Sequence, residues 1–257
     1  MMARSIRPAV IVSSLILLVA GVAQAADIPA AVQRAVDDPG RPAAARARDA
    51  GRKPAEILTF FGIHPGMRVL EVGAGGGYYT EILSNLLGDN GEVIAQNSQF
   101  IYDRVEKTVA PLYAARKNIR PYVGSLVDLD LPDNSLDAAL IILIFHHMHF
   151  DADHPNQLPE RTKAVLQNIR RWLKPGGVLG VIEHAALPGT SRAASAPLHR
   201  VDEQTTIADI TGQGFVLAAT SDILQVASDD RSVYWRNTPH RGKTWRFVHK
   251  YVKPATQ

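Results

Sequence analysis

The chain has 257 residues, of which 46% are hydrophobic and 21% are charged, and its formal net charge is +3 at pH 7. This length and composition fit one globular domain that buries a full hydrophobic core. The small net charge argues against a nucleic-acid-binding protein that relies on phosphate contacts. The absence of cysteine excludes disulfides and thiolate chemistry.

The first predicted element is a secretory signal peptide over residues 1–25. Arg4 and Arg7 precede an apolar run from Ala9 to about Ala23, and the run ends in an Ala-Gln-Ala cleavage site. This order of basic, apolar and small residues is typical of exported proteins. The run is shorter than the roughly 20 residues of a membrane span. We therefore expect a periplasmic or secreted protein without stable membrane insertion after cleavage, with an uncleaved anchor as the alternative.

Two further segments are predicted after the signal peptide. Residues 26–52 are rich in alanine and arginine, and we expect an N-terminal helical extension that is broken at Asp38-Pro39-Gly40. Residues 53–257 are expected to form a single domain, which begins with a helix over Lys53–Phe61.

The most informative segment of that domain is Val69-Leu-Glu-Val-Gly-Ala-Gly-Gly-Gly-Tyr-Tyr79. A strand over Arg68–Val72, a glycine loop and a helix in this order are typical of a nucleotide-type cofactor site at the carboxyl end of a parallel strand. The dinucleotide fingerprint G-x-G-x-x-G fails, because Tyr78 stands where the third glycine is needed. The pattern present is E-x-G-x-G-x-G, at Glu71, Gly73, Gly75 and Gly77.

The rest of the chain alternates predicted strands with predicted helices. The strands are expected at Glu92–Ala95, Arg120–Val123, Ser135–Phe145, Val178–Ile182, from Phe215 and at Trp245–Val252, and the helices at Ile101–Ala115, Pro159–Leu173 and Val201–Gln213. This alternation predicts an α/β protein with a doubly wound, mostly parallel sheet. No helix separates the last two strands, which favours an antiparallel hairpin at one edge. The charges between Arg236 and Lys253 are expected on the solvated face of an edge strand.

Several segments resemble the class I S-adenosylmethionine-dependent methyltransferases. Besides the E-x-G-x-G-x-G pattern, Leu131–Asp137 is similar to the family's loop before the fourth strand, and Leu173–Gly177 to its L-K-P-G-G junction before the fifth. A subgroup of predicted secreted methyltransferases is also similar over His199–Glu203 and Phe247–Pro254. The resemblance implies a seven-stranded Rossmann-like methyltransferase fold, S-adenosylmethionine as cofactor, and methyl transfer to a small-molecule acceptor.

The same resemblance implies which residues bind the cofactor. Glycine-loop residues would hold its methionine portion, and Asn97, or else Gln96, would take the place of the usual acid at the ribose. Ser125 or Asp128 would contact the adenine, and Tyr78 would either line the pocket or pack in the core. The implied cofactor-binding residues are Glu71, Gly73, Gly75, Gly77, Tyr78, Asn97, Ser125 and Asp128.

Histidines supply the candidate catalytic and substrate-binding groups. His146 or His147, directly after the fourth strand, could act as a general base because imidazole titrates near neutral pH. Neighbours on an extended segment point to opposite sides, so only one of them is expected to reach the transferred methyl group. The alternative is that this segment is a polar loop that shapes the mouth of the substrate site. His199 and Arg200 are expected to close over the substrate, with Arg200 pairing an anionic group. The alternative is that this segment only begins a helix.

Two other classes of function stay open. An export signal is compatible with a non-catalytic ligand-binding protein that keeps the fold. His147-x-His149-x-Asp151, followed by His154, resembles the metal motif of zinc-dependent hydrolases of the metallo-β-lactamase fold. That motif fails at Ala152, and we expect no metal ligands. Neither the methyl acceptor nor the oligomeric state follows from the sequence.

Overall fold

A computed structural model describes residues 27–237, 242 and 244–255, so the predicted signal peptide lies outside the described residues. The helices are α1 (Ala30–Asp37), α2 (Ala43–Arg46), α3 (Asp49–Arg52), α4 (Pro54–Phe61), α5 (Tyr78–Leu87), α6 (Gln99–Ala115), α7 (Glu160–Trp172), α8 (Arg192–Ser195) and α9 (Glu203–Thr211). The strands are β1 (Arg68–Val72), β2 (Glu92–Asn97), β3 (Ile119–Val123), β4 (Leu136–Ile142), β5 (Leu173–His184), β6 (Val216–Ser221) and β7 (Arg246–Val252). Within these ranges, no helix is both long enough and apolar enough to cross a bilayer.

The seven strands form one sheet in the order β3-β2-β1-β4-β5-β7-β6. Strands β1 to β5 run parallel, and β7 pairs antiparallel with both β5 and β6. This confirms the predicted mostly parallel sheet with an antiparallel hairpin. The strand order changes direction between β1 and β4, and in open α/β sheets ligands bind at the carboxyl ends of the strands beside such a switch point.

Helices cover both faces of the sheet because successive strand residues point to opposite sides. Val69 belongs to one hydrophobic cluster, with α1, α4 and α5, whereas the next residue, Leu70, belongs to the other, with α7 and α9. Val32 and Val36 of α1 are buried in the first cluster. The predicted N-terminal extension therefore packs into the same core as the domain that follows it.

The structure corrects the predicted position of the last strand. β7 lies between β5 and β6, and its residues Arg246 and His249 are buried rather than solvated. The Arg246 guanidinium donates to the carbonyl of Gly51 at 2.6 Å, so it joins the C-terminal strand to α3. The true edge strand is β6, where Val216 is 50% exposed.

The carboxyl ends of β4 and β5 differ from their predicted positions, and both differences shape the carboxyl edge. β4 ends at Ile142 rather than Phe145, because Leu143 takes a left-handed backbone conformation and a 3₁₀ turn follows at Phe145–His147. β5 continues to His184 instead of Ile182, which carries Glu183 and His184 to the same edge.

Candidate active site

The glycine loop, Gly73–Gly77, leaves the carboxyl end of β1 with a backbone that only glycine adopts easily. Gly73, Gly75 and Gly77 have φ values of +64°, +57° and +82°. Gly77 begins α5 and packs against Leu112 of α6, where an added Cβ would lie 3.0 Å from the leucine Cδ2. Gly73 and Gly75 remain at the cleft.

Side chains of β2 hold the glycine loop in place. Gly73 N–H donates to Gln96 Oε1 at 3.0 Å, and Gly75 N–H donates to Asn97 Oδ1 at 2.8 Å. The Asn97 Nδ2 group in turn donates to the Gly75 carbonyl at 3.1 Å, and the residue is only 1% exposed. This corrects the predicted role of Asn97, because its amide is engaged by the loop backbone rather than presented to a ribose. Gln96 and Ser98 line the cleft at this position instead.

The cleft along the carboxyl edge has two lobes that meet at Gly73 and Ile144. The smaller lobe, of about 230 Å³, is bounded by the glycine loop, Glu71, Tyr78 and two arginines of the N-terminal segment. The larger lobe, of about 690 Å³, extends past Ser125 to His147. A Cβ on Gly73 would lie 2.8 Å from Ile144 Cγ1, so the lack of a side chain there keeps the junction of the lobes open.

Glu71 is a buried acid in the wall of the smaller lobe. The Thr80 hydroxyl donates to its Oε2 at 2.6 Å. Burial raises the pKa of Glu71 to about 8, and the Thr80 hydrogen bond and the positive charge of Arg52 oppose this rise. A carboxyl group held protonated by burial ionises when a cation arrives beside it, so this wall suits a positively charged ligand group.

Arg48 and Arg52 bring positive charge to the same lobe from the segment around α3. Their guanidinium carbons lie 4.7 and 4.5 Å from the centre of the Tyr78 ring, within cation–π range. The Tyr78 hydroxyl donates to Asp49 Oδ1 at 2.6 Å, which ties α5 to α3. Sequence reasoning found Tyr78 but missed both arginines. The only available signal was their position just before the first strand unit.

The larger lobe contains one of the two residues predicted to contact the adenine. Ser125 lines the lobe, and its Oγ accepts from the backbone N–H of Val127 and from Arg161 Nη2, both at 3.2 Å. Asp128 is exposed and does not line the lobe, so the structure brings Ser125 to the cleft and leaves Asp128 outside it. Ile101, Leu126 and Met148 supply apolar wall.

Three histidines, His146, His147 and His199, form a compact group beside the larger lobe, which His147 lines, and we call it the histidine cluster. The ring centres of His146 and His147 are 4.2 Å apart, and His199 lies 5.2 and 4.9 Å from them. The prediction that adjacent histidines would point to opposite sides is wrong. It assumed an extended backbone, whereas the 3₁₀ turn at Phe145–His147 places the two rings side by side.

A buried carboxylate lies beneath the histidine cluster. Glu183 accepts from the backbone N–H of His146 at 3.0 Å, and its Oε1 lies 2.9 Å from His146 Nδ1. Burial favours a raised pKa for Glu183, but the charge and hydrogen bond of His146, together with His184, lower it to about 2. Burial, reinforced by His146 and His199, lowers the pKa of His147 to about 4, so this imidazole is neutral at pH 7.

Arg200 has a structural position rather than the predicted contact with substrate. Its side chain is fully buried and forms an ion pair with Asp229, with N–O distances of 2.9 and 3.2 Å. It also donates to the carbonyls of Ala185 and Val233. A guanidinium engaged in this way cannot pair an anionic substrate, which corrects the prediction. Its neighbour His199 is half-buried and contacts the rings of His146 and His147.

The hydrolase-like metal motif does not converge. His149 is fully buried, with its ring nitrogens 2.9 Å from the His146 carbonyl and from Ser195 Oγ. Asp151 and His154 form an exposed pair at 3.5 Å, away from the buried ring. The four residues of the motif therefore do not share one ligand position, and the zinc-hydrolase alternative has no support in this geometry.

Comparison with protein families matches residues 70–181 to the family described as methyltransferase domain. The ubiquinone/menaquinone biosynthesis C-methyltransferase UbiE of Shewanella sp. (strain W3-18-1) is 31% identical over 122 residues, which are 48% of this chain and 44% of the relative. The sterol 24-C-methyltransferase of Yarrowia lipolytica is 26% identical over 217 residues, covering 78% of this chain and 52% of the relative. The chain thus spans about half the length of these curated relatives.

Solved structures have the same fold at low sequence identity. A SAM-dependent methyltransferase from Aquifex aeolicus superposes with a TM-score of 0.58 at 21% identity, covering 86% of this chain and 96% of that one. A 1,6-didemethyltoxoflavin-N1-methyltransferase from Burkholderia thailandensis, solved with 1,6-didemethyltoxoflavin and S-adenosylhomocysteine, gives 0.51 at 20% identity, with 82% and 79% coverage.

Proposed function

We propose that this chain, whose residues 70–181 match the methyltransferase domain family and whose fold is shared by a solved methyltransferase, is a class I S-adenosylmethionine-dependent methyltransferase that transfers a methyl group from this cofactor to a small-molecule acceptor. The observation that carries the proposal is the two-lobed cleft at the strand switch point, with charged groups at one end and the histidine cluster at the other.

The residues of the smaller lobe fit the methionine portion of the cofactor, which carries an ammonium and a carboxylate. Glu71 would pair the ammonium, and Arg52, with Arg48 beside it, would pair the carboxylate. Gly75 and Gly76 leave the space above the loop open, since a Cβ on Gly76 would meet no atom within 4 Å. The cradle therefore matches the group both in charge and in shape.

The larger lobe fits the adenosine portion. Ser98 caps the first turn of α6 and lines the lobe, so its hydroxyl is the candidate partner for a ribose hydroxyl where the family more often has an acid. Ile101 and Leu126 would enclose the adenine, and the Ser125 hydroxyl would bond its edge. We infer that this polar but uncharged set binds less tightly than an acid would, because it lacks the gain of a charge-assisted hydrogen bond.

When bound, the cofactor supplies a methyl group on a positively charged sulfur, which is already a good leaving group. The chain's own contribution is then mainly to bind and align the acceptor and to exclude water. His147 lines the lobe and is neutral at pH 7, so it can accept a proton from an acceptor whose own acidity rises during transfer. Its lowered pKa makes it a weak base, which favours an acceptor that is itself acidic.

The acceptor is inferred to be an apolar or aromatic small molecule. Tyr234 packs against His199 with ring centres 5.1 Å apart, and Trp235 stacks on His184 at 4.7 Å, so aromatic rings flank the histidine cluster. Flat rings favour flat partners. The names of the two curated relatives, for quinone biosynthesis and for sterol methylation, are compatible with an apolar acceptor.

Calorimetry of the purified chain with S-adenosylmethionine and S-adenosylhomocysteine tests the proposal. We expect both to bind, and at pH 7 we expect release of up to about one proton as Glu71 ionises beside the ligand ammonium. Titrations in buffers of different ionisation enthalpy measure that proton. Arg52→Gln should weaken binding about tenfold, whereas Arg34→Gln, a change on the exposed face of α1, should not. Absence of binding to both ligands would contradict the proposal.

We also propose that the protein acts outside the cytoplasm, on the basis of the signal-peptide pattern over residues 1–25. Digestion by an added protease in spheroplasts, whose inner membrane is intact, tests this proposal. The full chain should be digested, and Leu17→Arg, which interrupts the apolar run, should keep it protected inside the cell. Equal protection of both forms would overturn the proposal.

A further inference from the structure

We propose that His146, His147 and His199 bind a divalent transition-metal ion, with zinc as the ion that fits best, at the histidine end of the cleft. This metal site goes beyond the methyl transfer proposed above and needs neither the cofactor nor the acceptor. With an ion bound, the imidazole of His147 is a ligand and not a base, so the base role proposed above belongs to the metal-free chain. It also differs from the hydrolase-like motif, with which it shares only His147.

The spacing of the three imidazoles is close to that of a metal site. One ring nitrogen from each of the three residues lies within 4.8 Å of the other two. Two imidazole nitrogens on one tetrahedral zinc are separated by about 3.3 Å, given zinc–nitrogen bonds of about 2.0–2.1 Å. The 4.8 Å limit exceeds that distance, so the rings would have to move closer together when an ion binds. His147 is exposed and His199 half-buried, so an ion can enter from solvent.

Glu183 provides the outer support that metal-binding histidines usually have. Its Oε1 lies 2.9 Å from His146 Nδ1, which leaves His146 Nε2 as the free ligand atom. The carboxylate is itself held by the backbone N–H groups of His184 at 2.7 Å and His146 at 3.0 Å. When the ring turns to direct its Nδ1–H at this oxygen, the carboxylate fixes the ring and makes it a stronger ligand. It also brings one buried negative charge that offsets part of the charge of the metal.

His199 is positioned by an unusual backbone conformation. It has a left-handed φ of +49°, which is rare for a residue other than glycine and persists only where the surroundings hold it. The 3₁₀ turn Ala196–Leu198 precedes it, and its N–H donates to Ala196 at 3.0 Å. The next residue, Arg200, is anchored by its buried ion pair with Asp229. A left-handed backbone at His199 and a buried ion pair at Arg200 thus hold the third imidazole next to the other two.

The ligand set indicates which ion binds. Three imidazole nitrogens suit zinc, cobalt and copper, whereas magnesium and calcium prefer oxygen ligands. Three protein ligands leave a fourth position open, as in zinc sites that bind water or a substrate. Because His147 lines the larger lobe, an ion held by it would lie beside the cleft. The cation Arg236, which stacks on Trp235 at the rim, favours an anionic fourth ligand such as hydroxide or a deprotonated acceptor.

Metal titration of the full chain, freed of metal by chelation and dialysis, tests the site. We expect one Zn²⁺ per chain by calorimetry and by elemental analysis, and the visible absorption of four-coordinate Co²⁺ in its place. His147→Ala and His199→Asn should each lower the zinc affinity at least about 100-fold, since each removes a ligand. Glu183→Gln should lower it by about 10- to 100-fold through the orientation of His146.

His154→Ala is the matched control. It removes an exposed histidine from the same segment, so the zinc affinity should stay as in the parent chain. Asparagine is chosen at position 199 because it tolerates a left-handed backbone. His147 is exposed, and its variant carries the test if His199→Asn fails to fold, as judged by thermal unfolding. Binding of S-adenosylhomocysteine by these variants is measured in parallel, so a loss of zinc is distinguishable from a loss of the cofactor site. No stoichiometric zinc, or equal affinity in His147→Ala and the parent, would overturn the proposal.

Discussion

The glycine loop and the histidine cluster lie on the same edge of the sheet, but the chain assembles them differently. The loop is built mainly from backbone, within one strand–loop–helix unit, and the neighbouring strand β2 holds it through Gln96 and Asn97. The histidine cluster is built from side chains of two segments, after β4 and before α9, and a third, β5, supports it from below. A local backbone motif leaves a pattern in the sequence, whereas a convergence of distant side chains does not.

The two regions also differ in how their charges are balanced. At the loop, burial leaves Glu71 with a raised pKa near 8, so a ligand cation would complete the balance. At the histidine cluster, Glu183 is already paired with His146, and Arg200 with Asp229. We infer that the loop region is completed by its cofactor and that the histidine region is preorganised by the protein itself.

Arg200→Met tests the preorganised region and has the largest expected effect. It removes a fully buried guanidinium that bonds Asp229 and the carbonyls of Ala185 and Val233, and breaking such a buried pair costs about 3–5 kcal/mol of unfolding free energy. Urea unfolding measures the loss, and Arg34→Met, at an exposed position, is the control with little expected change. A stable variant that had lost only activity would instead support the earlier substrate-binding role for Arg200.

Gly73→Ala tests the loop region and should act on the ligand rather than mainly on the fold. The new Cβ would lie 2.8 Å from Ile144 Cγ1 and push that side chain into the junction of the two lobes. We expect S-adenosylhomocysteine to bind at least about 30-fold more weakly, or about 2 kcal/mol. Gly66→Ala is the matched control, because it has a similar φ of +82° but no neighbour within 4 Å. Equal weakening by both variants would mean that backbone strain alone explains the result.

Glu71→Gln tests whether the buried acid of the loop region is protonated in the folded state, through the pH dependence of stability. It has the smallest expected effect. The folded state holds a proton on Glu71 up to a pKa of about 8, whereas the ordinary value is 4.5. Between these values the unfolded state binds fewer protons, so this group makes the parent less stable as pH rises. Glutamine does not titrate, so the stability advantage of the variant should grow by about 1.3 kcal/mol between pH 6 and pH 7.

Thermal or urea unfolding at several pH values measures that trend, with Glu106→Gln on the exposed side of α6 as the control. The variant should also bind S-adenosylmethionine more weakly, since it cannot supply the negative charge. Parallel stability curves for parent and variant would contradict the raised pKa of Glu71.

Much of the fold followed from sequence because its signals are local. The glycine loop, the alternating strands and helices and the L-K-P-G-G junction each depend on residues that are close in the chain, and the sheet confirms the predicted seven-stranded architecture. β7 was misplaced because its charged residues look solvated in isolation. In the folded chain the Arg246 guanidinium also donates to the carbonyl of Gly51 in α3, a distant partner that the residues around β7 do not reveal.

The site could be predicted only in outline, for the same reason. The sequence pointed to Glu71, Gly73 and Ser125, and the cleft contains all three. It could not show that the Asn97 side chain is hydrogen-bonded to the Gly75 backbone or that Arg200 is buried. Nor could it show that the guanidinium groups of Arg48 and Arg52 contact the Tyr78 ring. These outcomes depend on which groups the folded chain places next to each side chain. That placement is decided by packing between segments that are far apart in the sequence.

By itself, the sequence determined the order of strands and helices and the glycine loop, because backbone conformation depends on residue type and on neighbours in the chain. The tertiary structure alone decided that His146, His147 and His199 meet above Glu183. A 3₁₀ turn, an extended β5 and one left-handed residue bring them together, and each arises from the packing of the whole sheet edge.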